Sequence, residues 1–248
     1  MKIIDISKEE YSLLNRYIGQ GKHDASLVFF GNEPGTSGLG ILDTIKYLKT
    51  AKNKPIGNGF LIHESYSHPT SSDFARFISR LCLGLENKDD RWFGELSQTG
   101  NVAINQHIMK PISEKNICLI NLRPLPRPTQ DTWVYSNINK KDYQRKWNFT
   151  LKGHYSDNFK DERLQILKSF FKLRGDSLII GVGDKENKKA FLEKLFPNKF
   201  HTAQLDNHTI YFEPKLKIIL SNYFNNRNGI KLKGLKDLYN FIISRNFA

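Results

Sequence analysis

Apolar residues recur along this chain in two rhythms. Ser7 and Glu10 form a capping box, and Tyr11, Leu14 and Ile18 follow at helical spacing until Gly19 and Gly21 end the pattern, which predicts a first helix. Helical spacing returns at Ile41, Ile45 and Leu48, over 71–84 behind the capping residues Ser71, Ser72 and Asp73, and at about 158–173, 185–196 and 235–244. The other rhythm is the short unbroken apolar run: 25–30 (ASLVFF), 117–121 (ICLIN), 177–182 (SLIIGV) and 217–220 (KIIL). Such runs read as strands buried on both faces. Residues 52–69 and the Pro-broken 121–129 read as loops, and 201–212 as an edge hairpin turning at Asp206 and Asn207. Apolar strands alternating with helices predict an α/β fold: a three-layer α/β/α sandwich around a central, mainly parallel four-stranded sheet. One domain over 1–248 is expected, with about 130–157 as an insertion or lid.

In open α/β sheets ligands bind at the carboxyl ends of the strands. Here those ends read Gly31-Asn32-Glu33-Pro34-Gly35, Asn121-Leu122-Arg123-Pro124, Gly183-Asp184 and Ser221-Asn222-Tyr223-Phe224. Charge adds a second constraint. The 248 residues carry a net charge of +13, and it is uneven: 16 basic and 14 acidic side chains up to residue 139, then 22 and 11. A basic excess of this kind favours nucleic acid or an anionic surface over a neutral partner, with a solubilising Lys-rich face as the plainer alternative. Trp133, Tyr135, Tyr143 and Trp147, interleaved with Lys140, Lys141, Arg145 and Lys146, fit a surface that stacks bases and binds phosphates, or equally a helix packed on the core.

Several chemistries are excluded. Two cysteines, Cys82 and Cys118, are too few for a thiolate-held cluster or a Cys-rich zinc site and fit a reducing, cytoplasmic setting. His63-Glu64 and His68 have the wrong spacing for a zinc-protease helix, Gly181-Val182-Gly183 lacks the third glycine of a dinucleotide loop, and there is no P-loop. Residues 35–40 (GTSGLG) read as a turn whose N–H groups can approach a phosphate. No apolar stretch is long enough to span a bilayer, so no membrane association is expected, and neither a metal nor a cofactor is implied.

The pentapeptide Gly31–Gly35 (GNEPG), closing the first buried strand, resembles the first motif of the uracil-DNA glycosylase superfamily, Gly-x-x-Pro-Gly or Gly-x-x-Pro-Tyr. Asn121 ends the next apolar strand, where that family places its base-reading Asn, and the following RPLPRP is similar to the Arg-Pro-rich loop of some branches. The order of the remaining elements agrees over most of residues 25–245. The resemblance implies a monomeric DNA glycosylase that flips a base out of duplex or single-stranded DNA and hydrolyses its N-glycosidic bond without a cofactor. Glu33, with Asn32, would position the attacking water beside a sugar that gains positive charge. Asn121 would read the base edge, with Phe60 or Tyr66 stacked on it and Asn222 as a further donor. Tyr223, Phe224, Arg227, Arg123 and Arg127 would contact DNA. The departure lies in the last motif: where the family has His-Pro-Ser, the corresponding stretch, 221–229 (SNYFNNRNG), holds no His. That change favours a modified base, such as the glucosylated hydroxymethylcytosine of phage DNA in a defence branch, over uracil and repair. A non-catalytic nucleic-acid-binding protein, and a nucleotide-binding protein using Gly181–Asp184, are the competing classes.

Overall fold

A computed structural model describes residues 3–33, 41–50, 54–56, 60–63, 73–110, 114–127, 132–151, 161–206, 208–224 and 230–247. The chain forms an α/β structure whose mixed sheet has a parallel core. The four apolar runs become β2 (Leu27–Gly31), β5 (Ile117–Asn121), β6 (Leu178–Val182) and β9 (Ile218–Ser221), joined side by side and parallel in the order β5-β2-β6-β9. The sheet is larger than the four strands expected: among the described residues it has nine. On one flank β5 pairs antiparallel with β1 (Tyr17–Gly21), which runs parallel to β4 (Phe60–His63), itself antiparallel to β3 (Lys54–Ile56). On the other, β9 pairs antiparallel with β8 (His208–Glu213), and β8 with β7 (His201–Leu205). The expected edge hairpin is therefore present, whereas the stretch expected as a loop over 52–69 contains two strands. The first helix is also shorter than expected, because Tyr17 and Ile18 already belong to β1.

Period-two alternation explains how the parallel core is covered. In β2, Val28 and Phe30 point to one face, where they join Leu14, Ile45, Leu164, Leu167, Phe170 and Phe191; Leu27 and Phe29 point to the other, joining Phe77, Leu81, Ile104, Leu235 and Leu238. The first group comes from α1 (Lys8–Arg16), α2 (Ile41–Thr50), α6 (Glu162–Lys172) and α7 (Lys185–Leu195), and the second from α3 (Asp73–Asn87), α4 (Gln98–Met109) and α8 (Leu232–Ser244). Helices thus cover both faces, and Phe29 and Phe30 are almost fully buried. Burial of a side chain of that size contributes about 1.5–3 kcal/mol. The capping box that starts α1 is complete: the Ser7 hydroxyl accepts from the Glu10 N–H at 3.1 Å, and the Ser7 N–H donates to the Glu10 carboxylate at 2.8 Å.

The segment expected as an insertion or lid buries several of its aromatic side chains in the core over its described part. α5 (Lys140–Lys146) carries Tyr143 inward, and Tyr135, Tyr143 and Trp147 are 4% exposed or less. Their rings pack on one another and on the sheet, so they offer no base-stacking surface. Residues 152–160 lie outside the described part.

Candidate functional site

The chain leaves β2 for β5 on one side and returns to β6 on the other. Connections that diverge in this way open a crevice at the carboxyl ends of the two strands they separate, here β2 and β6. Asn32 and Glu33 follow β2, Gly183 and Asp184 follow β6, and the loop after β5 lies alongside. That loop is zipped to the first: the Leu122 N–H donates to Gly31 O at 3.0 Å and the Arg123 N–H to Asn32 O at 2.7 Å. The register places Asn121 opposite Gly31. A β-carbon on Gly31 would lie 2.7 Å from the Asn121 side-chain oxygen, so any larger residue there would push the Asn121 amide from its place.

Glu33 is the centre of the cluster. Its carboxylate accepts from Arg127 Nε at 2.8 Å and from Arg127 Nη2 at 2.5 Å, a two-point fork, and Arg123 Nη1 lies 3.9 Å away. Arg123 Nη2 also donates to Asp184 at 3.4 Å. The Glu33 side chain is 12% exposed and that of Arg127 only 2%. Both arginines were expected on DNA, and for Arg127 the structure corrects this: a carboxylate withdrawn from water requires a paired cation, and the Pro-rich loop turns the guanidinium inward to supply it. Arg123 is also largely buried and faces the same acids. Arg127 Nη1 and Arg123 Nε are buried without a hydrogen-bond partner among the described residues.

The loop carrying these groups is held from beneath by residues that sequence reading missed. Arg163, fully buried on the first turn of α6, donates to the carbonyls of Asn121 (2.6 Å) and Leu122 (2.8 Å) and to those of Leu14, Asn15 and Tyr17. Burial lowers its pKa to about 10, so it remains charged at neutral pH. The Tyr143 hydroxyl accepts from the Leu125 N–H, and the Tyr135 hydroxyl donates to Pro126 O. Nothing in the sequence distinguishes Arg163 from the surface arginines around it; only its carbonyl cage does.

No family model matches the chain. A 112-residue stretch is 31% identical to the uncharacterized protein MJ1544 of Methanocaldococcus jannaschii, covering 44% of this chain. The match spans 25% of that relative's own length, and the relative's name carries no activity.

A second missed residue, Lys188, closes the crevice from below. It lies on the first turn of α7, fully buried, and its ammonium donates to Asn32 Oδ1, Val182 O (3.0 Å) and Gly183 O (2.5 Å). Burial lowers its pKa to about 7. Gly183 (φ +72°) and Asp184 (φ +37°) are both left-handed, which turns the chain sharply into α7; Asp184 faces Arg123 and does not cap the helix with its side chain. Beside this cluster is a cleft of about 460 Å³ lined by Arg123, Arg127, Gln144, Asn148, Thr150, Asp184 and Glu186.

The last expected elements divide. Tyr223, 46% exposed, stacks on Phe74 with centroids 5.1 Å apart, near Gly183, and Asn222 beside it is partly exposed. Phe224 is fully buried against Phe74 and Phe77, so it belongs to the core and not to a DNA-facing wedge. The Ile230 N–H donates to Tyr223 O at 2.8 Å, and residues 225–229 lie outside the described part. Phe60 is in β4, but its side chain, together with Tyr66, Arg227 and residues 34–40, lies outside the described part. Among the described residues no group of His, Cys, Asp and Glu is arranged to hold a metal ion, and no helix is long and apolar enough to cross a membrane.

Proposed function

We propose that this protein is a DNA glycosylase that hydrolyses the N-glycosidic bond of a flipped-out base, acting on a modified base in preference to uracil. The observation that carries the reading is the Glu33 carboxylate at the mouth of the β2/β6 crevice, held in a fixed plane by the Arg127 fork. A carboxylate has about four lone-pair positions and the fork occupies two, leaving two for a water molecule. Breaking the bond places positive charge on the deoxyribose and negative charge on the departing base. The fixed anion stabilises the first and orients the water toward the sugar, while the Asn121 amide pairs with the base edge. The helices on both sheet faces fit the expected three-layer α/β/α sandwich of the uracil-DNA glycosylase superfamily, and the basic C-terminal half suits a polyanion.

Two features favour a modified base. The stretch after β9 that corresponds to the family's last motif holds no His and offers Asn222 as a donor, and a polar cleft of about 460 Å³ lies beside Arg123. The two-point hold of Arg127 on Glu33 also suits one competitor, a nucleic-acid-binding protein in which the pair is only a strut. The deciding assay incubates the protein with single-stranded and duplex DNAs containing uracil, hypoxanthine, hydroxymethylcytosine or glucosylated hydroxymethylcytosine, and scores released base and alkali-labile sites. Release by the wild type, reduced about 10² to 10³-fold in Glu33→Gln, is the expected result. DNA binding without release from any of the four would establish the competitor.

A further inference from the structure

Lys188 joins the two walls of the crevice. An ammonium has three N–H donors and no acceptor, and the acceptors it meets number three: Asn32 Oδ1 at the end of β2, and Val182 O and Gly183 O at the end of β6. This arrangement has a consequence for Asn32. Its amide must turn its oxygen to the ammonium, because the reverse orientation would set NH2 against NH3⁺. The assignment of oxygen and nitrogen thus follows from the chemistry of the partner. The Nδ2 end then lies 3.4 Å from where a Gly183 β-carbon would be, and the Tyr223 ring lies 3.6 Å from that same point.

We propose that Lys188 is a positioning residue that locks the Asn32 amide with its NH2 toward the crevice, so that Asn32 meets its ligand only as a hydrogen-bond donor. The group it recognises is an acceptor: a base carbonyl, a ring nitrogen or a phosphate oxygen. Asn32 therefore does not activate water by accepting its proton, and that work stays with Glu33. The inference rests on the glycosylase reading only for the identity of the ligand. It also makes the donor depend on the charge of Lys188. A neutral amine that keeps its two bonds to the carbonyls of Val182 and Gly183 turns its lone pair to Asn32, and the amide then reverses. The charged groups around Lys188 are Asp184 in the turn before its helix, Glu33 after β2 and Arg123 after β5; the first and second favour the ammonium and the third opposes it, while burial lowers its pKa to about 7.

Two measurements test this. In ¹⁵N spectra of the wild-type protein, the Asn32 side-chain NH2 resonances should move with the titration of Lys188, and Lys188→Met should abolish the movement. An Asn32 amide indifferent to pH while Lys188 titrates would overturn the proposal, whether or not the protein releases any base. The second is a double-mutant cycle on base release from single-stranded oligonucleotides. Lys188→Met and Asn32→Ala should each lower kcat at least tenfold, and the double variant should be no worse than either. Losses that multiply would mean that Lys188 acts apart from Asn32. If the wild type releases no base from any oligonucleotide, the glycosylase reading fails and the spectra alone decide; if Lys188→Met does not fold, Asn32→Asp replaces it. In that variant a carboxylate against the ammonium should raise the Lys188 pKa above its wild-type value, yet excision should fall although a carboxylate has been added. An unchanged pKa or improved excision would refute the lock.

Discussion

Replacement of Arg163 by Met, which keeps the length of the side chain but removes the guanidinium, should both destabilise the protein and loosen the candidate site. Five carbonyls accept from this group within 3.2 Å: Asn121, Leu122, Leu14, Asn15 and Tyr17. Each buried acceptor left without its donor costs roughly 1–3 kcal/mol, but neighbouring N–H groups and entering water recover part of this. Removal of one partner from a buried charged network generally costs about 3–5 kcal/mol, and the expected loss here is about 4. For a chain of this size that corresponds to a fall in Tm of roughly 8–16 °C. Urea denaturation followed by circular dichroism measures it. Arg163→Lys should recover less than half, since one ammonium cannot reach carbonyls arrayed around a planar fork. Hydrogen exchange supplies the local readout: the Leu122 and Arg123 amides, bonded to Gly31 O and Asn32 O, should exchange faster in both variants even well below the melting transition. A loss under about 1 kcal/mol, or unchanged protection at those two amides, would refute the view that Arg163 anchors the loop.

Arg127→Lys keeps the charge but breaks the fork on Glu33; base release should fall about tenfold while DNA affinity and its salt dependence stay constant, because the side chain does not face solvent. A lower salt slope by filter binding would instead return Arg127 to the phosphates. Phe224→Ala should cost about 3–5 kcal/mol in denaturant melts, whereas Tyr223→Ala should cost under 1 kcal/mol and impair duplex binding more than folding. Equal destabilisation by the two would contradict their different burial. His107 is buried on Ser79, and desolvation with Lys115 and Lys110 nearby lowers its pKa to about 4. The unfolded chain therefore binds a proton that the folded one refuses between about pH 6.5 and 4, so stability should fall as the pH is lowered through that window. His107→Gln should flatten this segment of the stability curve; a slope identical to wild type would show that other groups carry it.

The four unbroken apolar runs determined the parallel core without help from the rest of the molecule, because a strand buried on both faces must be apolar at every position. The capping box at Ser7 and the edge hairpin turning at Asp206 were equally local, and the turns after the strands pointed to Asn32, Glu33, Asn121 and Asp184 before any contact was known. β1, β3 and β4 were not legible: YIGQG carries two glycines and runs on from a helical pattern, KPI is three residues with a proline, and FLIH is a four-residue run inside a stretch that reads as a loop; they are strands because neighbours supply their hydrogen bonds. The direction of a polar side chain was likewise a tertiary decision. Arg127 and Arg163 are the same residue type as the exposed Arg91, and Lys188 sits among other lysines on one helix. Each is inside because a carboxylate or a set of carbonyls, brought there by strands distant in sequence, compensates its charge. Trp147 and Phe224 show the converse. Aromatic residues beside lysines or at a strand end look the same in sequence whether they face DNA or the core, and only packing against Tyr143 or Phe77 separates the two.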